Sequence, residues 1–299
     1  MYLSNLGEEE IAMSLGYNKV LGNSDQPVSL RPHRVALGHW PITIDDNRTR
    51  TFETVVGHTA GAGYEGVEFS IYRLNNYFPD DSELVIARKV RRSLESAGLR
   101  NFGSTLHLED AAVRQLGWRQ RVIDSMKAIQ DTGGEYASLQ FFLHPDYIGT
   151  GGAYREDEEY LQWCANRVSQ IRADAWSLGL NFYLEFHIDR ITEDPAACCR
   201  LLEMAACELN GDMSHLLYRA ITRGVYVDRI MKLVGHTHVR MARPHGDLSA
   251  AVDDPKADWE QKGVTWQMFK FMQPALGGGL SSRTIVGETG PMHLVRDTL

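Results

Sequence analysis

The sequence has no CxxC pair, no internal repeat, no low-complexity tract and no apolar run of the roughly eighteen residues that a membrane-spanning helix needs. Its four cysteines, Cys164, Cys198, Cys199 and Cys207, make neither a disulfide framework nor a zinc ribbon, so they read as reduced thiols of a cytoplasmic protein. Positive charge is short as well. With 31 Lys and Arg against 39 Asp and Glu, the net charge is -8, which argues against nucleic acid and membrane as partners, because both are held by clustered Lys and Arg. The N-terminal MYLSNLGEEEIAM is acidic where an export signal would be basic and then apolar. These absences lead us to expect a soluble, unexported protein that acts on a small polar molecule.

What is present is ordinary globular composition, 43% hydrophobic and 23% charged over 299 residues, enough for one large α/β domain. From residue 34 onward, short β-favouring runs alternate with longer stretches of helical period. Strands are expected at 34 to 40, 65 to 70, 99 to 107, 136 to 142, 180 to 186, 207 to 212, 232 to 239 and 283 to 288. Between them, Leu161, Cys164, Val168, Ile171, Ala175 and Leu178 form one apolar helical stripe that Gly179 stops. Ile86, Val90 and Leu94 do the same ahead of Gly98, and Thr192 reads as an N-cap before a helix with Pro195 in its first turn. The expected fold is an α/β (β/α)8 TIM barrel, with a doubly wound open sheet as the alternative. Residues 1–33 are expected to form an N-terminal arm ahead of a single catalytic domain over 34–299, with the eighth outer helix expected to be truncated or missing.

Active sites of such barrels gather at the C-terminal ends of the strands. Strand five ends in Glu185, strand six in Asp212, strand seven carries His236 and His238, and strand eight ends in Glu288. A lone strand-end glutamate is commonly a salt-bridge partner or a helix cap, and only the recurrence on successive strands points to a metal. Because side chains alternate along a strand, one inward register turns Glu185, Asp212, His238 and Glu288 into the same mouth. Three carboxylates and one imidazole suit Mn²⁺, with Mg²⁺, Co²⁺ or Zn²⁺ as alternatives, in an open site.

The runs GYEGVEFS, YLEFHIDRITED, LNGDMSHLLY, VGHTHVRMARPHGD and IVGETG resemble the signatures of the xylose-isomerase-like barrel superfamily, in its sugar isomerase/epimerase branch. The resemblance spans about residues 34 to 290. It implies that Glu185, Asp212, His238 and Glu288 bind one divalent metal. It also implies that Glu185 and Glu288 are the acid/base pair on either face of a substrate carbon, moving a proton through a metal-bound enediolate. His215, three residues after Asp212, would donate to a substrate oxygen. Arg243, with Arg240 as competitor, would grip a hydroxyl, carboxylate or phosphate. His107 at the end of strand three, Glu68 at the end of strand two and His187 either line the substrate pocket or brace a ligand, while His236 orients one. Trp40 and Phe142 read as core or as an apolar wall, and His33, His58 and His293 as structural or exposed.

The chain departs from the family pattern in its long connection at 243–263 and its loop at 144–157, both candidates for shaping the pocket. The lysine-bearing E-P-K run of hydride-shifting xylose isomerases is absent, since Phe186 and His187 follow Glu185. That favours proton transfer over a hydride shift, and the first expectation is an isomerase or epimerase of a sugar, cyclitol or similar polyol. The same α-proton abstraction would also serve a metal-dependent lyase or dehydratase that eliminates from a keto-sugar or keto-glycoside. An abasic-site endonuclease would need extra ligands and a basic groove, and a non-catalytic barrel subunit would not need the ligands. A homo-oligomer is expected, with a hetero-subunit as the alternative. The arm at 1–33 is expected to cover the barrel or pack on another subunit, so deleting residues 1 to 30 should lower stability or change the oligomeric state. A deletion that leaves both unaltered, by thermal unfolding and light scattering, disposes of that expectation.

Overall fold

The computed structural model describes residues 34–37, 52–61, 64–70, 74, 77–150, 152–212, 215, 225–239 and 284–287. In chain order the elements are β1 (Arg34–Leu37), α1 (Phe52–Gly61), β2 (Gly66–Ser70), α2 (Glu83–Ser96), β3 (Arg100–Leu108), α3 (Asp110–Val113) and α4 (Trp118–Asp131). There follow β4 (Tyr136–Phe141), α5 (Glu158–Ser177), β5 (Asn181–Glu185), α6 (Pro195–Ala205), β6 (Glu208–Asn210), α7 (Val225–Lys232), β7 (Val234–Val239) and β8 (Thr284–Gly287). All strand pairs are parallel, neighbours in the sheet are neighbours in sequence, and β8 pairs with β1, so the order closes into a ring. The six strands β2 to β7, whose side chains are described for the most part, make the half-barrel that positions the site. The N-terminal arm, the connection at 243–263 and any helix after β8 lie outside the described residues.

Helix periodicity in the sequence translates into burial. On α5, Leu161, Cys164, Val168, Ile171 and Ala175 are all buried against the sheet. The Asp157 side chain accepts from Tyr160 N at its start, and Gly179 with φ +72° follows its end. On α2 the buried stripe is Ile86, Ala87, Val90 and Leu94. The N-cap of α6 is Asp194, which accepts from the backbone N–H of Ala196 and Ala197; Thr192, expected there, has another task described below. Pro195 does occupy the first turn.

The strands are buried on both faces, as parallel strands under crossover helices must be. Every residue of β4 is buried. Ala137, Leu139 and Phe141 belong to the main core, and Ser138 and Gln140 point to the opposite side, where Glu185 lies. A second, small apolar cluster of Phe102 and Tyr136 with Tyr183 packed against it is separate from that core. All four cysteines are free and buried, and burial pushes the Cys164 and Cys207 thiols up to about 12, which leaves them unreactive at neutral pH. Among the described residues no helix is long and apolar enough to cross a membrane.

Two register shifts set the phase of the inward-facing residues. Between β2 and β3, Val67 pairs with Asn101 but Glu68 with Gly103, so Phe102 is the extra residue. Between β6 and β7, Leu209 pairs with Val234 but Asn210 with His236, so Gly235 is the extra one. Both regions depend on glycine for close approach. A Cβ at Gly235 would lie 2.4 Å from Glu208 Oε2 and 2.6 Å from the Tyr183 ring, and one at Gly103 would lie 2.3 Å from the Tyr136 ring. Gly103→Ala must therefore displace Tyr136, and we expect a loss of about 1–3 kcal/mol in denaturant unfolding, the usual cost of overpacking. Unchanged stability would mean that the ring has room to move.

Candidate metal and acid/base site

Strand pairing brings the late strands together in order. Gln140 lies beside Glu185 across β4 and β5, Glu185 pairs with Asn210 on β6, Asn210 with His236 on β7, and His238 with Val286 on β8. Two residues beyond β6, the turn carrying Asp212 is held to β7 by Gly211 N donating to His236 O at 2.8 Å. The outcome is a group of Glu185, Asp212 and His238 whose ligand atoms lie within 4.8 Å of one another. Their exposures are 1%, 0% and 0%, low enough that solvent does not screen their charges.

Each member is held by neighbours. Gln140 Nε2 donates to Glu185 Oε1 at 2.6 Å, and Ser138 Oγ donates to Oε2 at 3.3 Å. Gln140 is itself fixed from the other end, where Arg190 Nη2 donates to its carbonyl oxygen at 3.2 Å. The Arg190 guanidinium lies 3.4 Å from the centroid of the Phe142 ring, so Phe142 acts as a stacking platform. Asn210 Nδ2 donates to Ser138 Oγ at 2.8 Å and sits 3.1 Å from His238 Nε2, while the buried Asn210 Oδ1 has no hydrogen-bond partner among the described residues. His238 Nδ1 is 3.8 Å from Glu185 Oε1. Thr192 Oγ1 donates to the Glu185 carbonyl at 2.6 Å and accepts from His187 N at 3.2 Å, which pins the end of β5.

His215 Nε2 lies 3.3 Å from Asp212 Oδ2, and the His215 ring packs on that of His187 at 3.7 Å between centroids. The structure thus groups four expected residues, Glu185, Asp212, His238 and His215, with His187 against them. His107, on β3 one residue before its end, is half-buried and hydrogen-bonded to Ser70 Oγ at 3.1 Å. Glu68, expected at a strand end, lies in the middle of β2 and is fully buried. Its carboxylate accepts from Thr105 Oγ1 at 2.9 Å and Tyr136 O–H at 2.5 Å, with His236 Nε2 and His238 Nε2 each 3.0 Å away. Burial works to raise its pKa, but the charge of His238 and the hydrogen bonds from His236 and His238 outweigh that and hold it well below the usual carboxylate range. Of the two roles open to Glu68, these contacts favour bracing over lining a pocket. His58 is exposed on α1. Glu288, Arg243, Arg240, Trp40, His33 and His293 lie outside the described residues.

The donor set fits a divalent cation. Two carboxylates and an imidazole buried within 4.8 Å of each other are costly without positive charge among them, and oxygen-rich ligation is what hard divalent ions take. The contacts that sequence reasoning missed are the supports: Gln140, Ser138, Asn210, Thr192 and Arg190. A polar Gln at the C-terminal end of a strand otherwise reading as fully buried was the available signal for Gln140.

Fold and site together describe a parallel α/β barrel protein with buried metal-type ligands on its late strands. No family model and no curated protein matches the sequence. Solved structures do match in fold. The 3-keto-D-glucoside 4-epimerase YcjR from E. coli is similar at a TM-score of 0.59 and 13% identity, over 89% of this chain and 97% of that one. The IOLI protein with a bound zinc atom matches at 0.59 and 12%, over 87% and 90%, and the probable 3-DHS dehydratase AsbF from Bacillus anthracis at 0.57 and 14%, over 88% and 95%. D-psicose and L-ribulose 3-epimerases and a xylose isomerase domain protein share the fold too, which is the group that the sequence motifs resemble.

Thr192→Val removes the hydroxyl that serves both the Glu185 carbonyl and the His187 amide. Leaving these groups unpaired should cost about 1–3 kcal/mol in denaturant unfolding. Thr192→Ser should recover most of that loss; failure of serine to do so would assign the effect to packing of the methyl group.

Proposed function

We propose that this chain is a divalent-metal-dependent isomerase or epimerase of a sugar or cyclitol, built on a complete (β/α)8 barrel and working by proton transfer. The observation that carries the proposal is the convergence of Glu185, Asp212 and His238, buried and within 4.8 Å of one another. These three would hold the ion, Mn²⁺ in the first instance, with Glu288 as fourth ligand. When bound, the ion would polarise the carbonyl of a hydroxycarbonyl substrate and so acidify the neighbouring C–H.

Glu185 takes or returns the proton at that carbon. Gln140 and Ser138 fix its carboxylate and restrict its motion, which is what a base acting at one carbon requires. Glu288 serves the opposite face of the carbon. His215 and His187, packed ring on ring beside Asp212, orient substrate oxygens. Arg243 meets the far end of the substrate, and His107 lines the pocket wall. The fold likeness to a dehydratase favours one second reading, in which the same proton abstraction is followed by loss of a β-leaving group.

Incubation with Mn²⁺ and candidate keto-sugars in D₂O tests both. Deuterium should enter at the carbon beside the carbonyl, and retention of water and aglycone excludes the lyase. Glu185→Gln should slow exchange by at least about a hundredfold, the lower range for loss of a general base. Purified protein without a stoichiometric ion, together with a Glu185→Gln variant as active as wild type, would replace this reading with a non-catalytic binding role.

A further inference from the structure

We propose that Glu68 is a positioning residue whose carboxylate keeps the proton of His238 on Nε2 and so reserves Nδ1 for the cation held with Glu185 and Asp212. This rests on the cation site proposed above and adds to it a residue on the opposite side of the ring of strands.

A carboxylate oxygen has two lone pairs and no proton to give. At Glu68, Oε1 faces Thr105 Oγ1 at 2.9 Å and His238 Nε2 at 3.0 Å, and Oε2 faces Tyr136 O–H at 2.5 Å and His236 Nε2 at 3.0 Å. Four donors fill four lone pairs, so both imidazoles must present Nε2–H to Glu68. To hold a cation His238 must give up any charge it carries in the empty site, and a neutral imidazole with its single proton on Nε2 has its lone pair on Nδ1. In His238 that atom faces Glu185, 3.8 Å from Oε1, and the Asn210 amide, with Nδ2 3.4 Å away. The same Nδ2 lies 3.1 Å from Nε2, where an Nε2–H held by Glu68 leaves it no lone pair to donate to, so the amide can serve Nδ1 and not Nε2.

Two carboxylates thus compete for one ring proton. Glu185 would draw it to Nδ1, which would disable the ligand, and Glu68 draws it to Nε2. At 3.0 Å the contact to Glu68 is a hydrogen bond, and at 3.8 Å the contact to Glu185 is not. Saturation of the carboxylate also argues against the other use of this cluster. The ligand atoms of Glu68, His236 and His238 lie within 4.8 Å of one another, but a second cation there would have to displace donors from an acceptor that is fully used. Carboxylates that orient metal-bound histidines through the remote nitrogen are a general device, and losing one weakens binding by about ten- to a hundredfold.

The test begins with metal-free, full-length protein labelled with ¹⁵N-histidine, in which His238 is assigned by the signals lost in His238→Gln. Long-range ¹H–¹⁵N correlations should show the Nε2–H tautomer; the Nδ1–H tautomer overturns the inference, and this reading needs no variant of Glu68 to fold. Mn²⁺ titration of the wild type should give one ion per chain. Glu68→Gln should bind it about ten- to a hundredfold more weakly and move His238 toward Nδ1–H. Tyr136→Phe, which removes another donor from the same carboxylate, should change the affinity by less than about threefold. Equal affinity and an unchanged tautomer in Glu68→Gln overturn the inference while the cation site stands. Two ions in the wild type, with one lost in Glu68→Gln, would make the cluster a second cation site and overturn it as well. A wild type that binds no ion removes the cation site and this inference together.

Discussion

A carboxylate buried at the middle of β2 ties the inner face of the described barrel together. Glu68 reaches β3 through Thr105, β4 through Tyr136 and β7 through His236 and His238. An uncompensated buried charge would be driven to its neutral form, and here four donors from three strands compensate it. Hydrogen bonds to a charged group are each worth about 1.5–3 kcal/mol net, against about 1 for a neutral pair, so the anion is the stronger anchor for its partners. Removing it would leave two buried histidines and a tyrosine to find other acceptors in a space that offers few.

That anchor functions only because the strands arrive in the right phase. Side chains alternate with a strict period of two, so a shift of one residue would turn His236 and His238 outward into the helices. Leu209 pairs with Val234 and Asn210 with His236, and the shift between those pairs sets this phase. On the other side, the skipped Phe102 places Gly103 beside Glu68 and Thr105 beside Ser70, from where its hydroxyl donates to the Glu68 carboxylate. Gly103 leaves the space that the Tyr136 ring occupies on its way to the Glu68 carboxylate. Bulges and glycines that look like defects in a ladder are here what aims the inner residues.

Around Glu185 the support comes from a different direction. Gln140 and Ser138 approach the carboxylate from β4, and Thr192 holds the carbonyl of the same residue from the loop that follows. The backbone and side chain of Glu185 are therefore fixed independently. Asp194, two residues past Thr192, caps α6 and is bonded by Arg155 at 3.1 Å, so the loop after β4 and the loop after β5 are joined. In this way the outer helices are connected to the polar interior through residues of the loops.

The sequence by itself determined the strand and helix alternation, the apolar faces of α2 and α5, and the identity of Glu185, Asp212 and His238 as residues that meet. Each of these depends on local period or on parity along one strand, and both can be read from neighbouring residues. Glu68 was legible as a candidate, but not its place, because Thr105, Tyr136, His236 and His238 are 37 to 170 positions away in sequence. Thr192 was read as a cap from its spacing to Pro195, and only the folded chain shows its hydroxyl turned back to Glu185. Tertiary structure alone decided the two register shifts and the sharing of one carboxylate between two histidines. Those depend on how strands distant in sequence pair, and pairing is settled by packing across the whole ring rather than by any single segment.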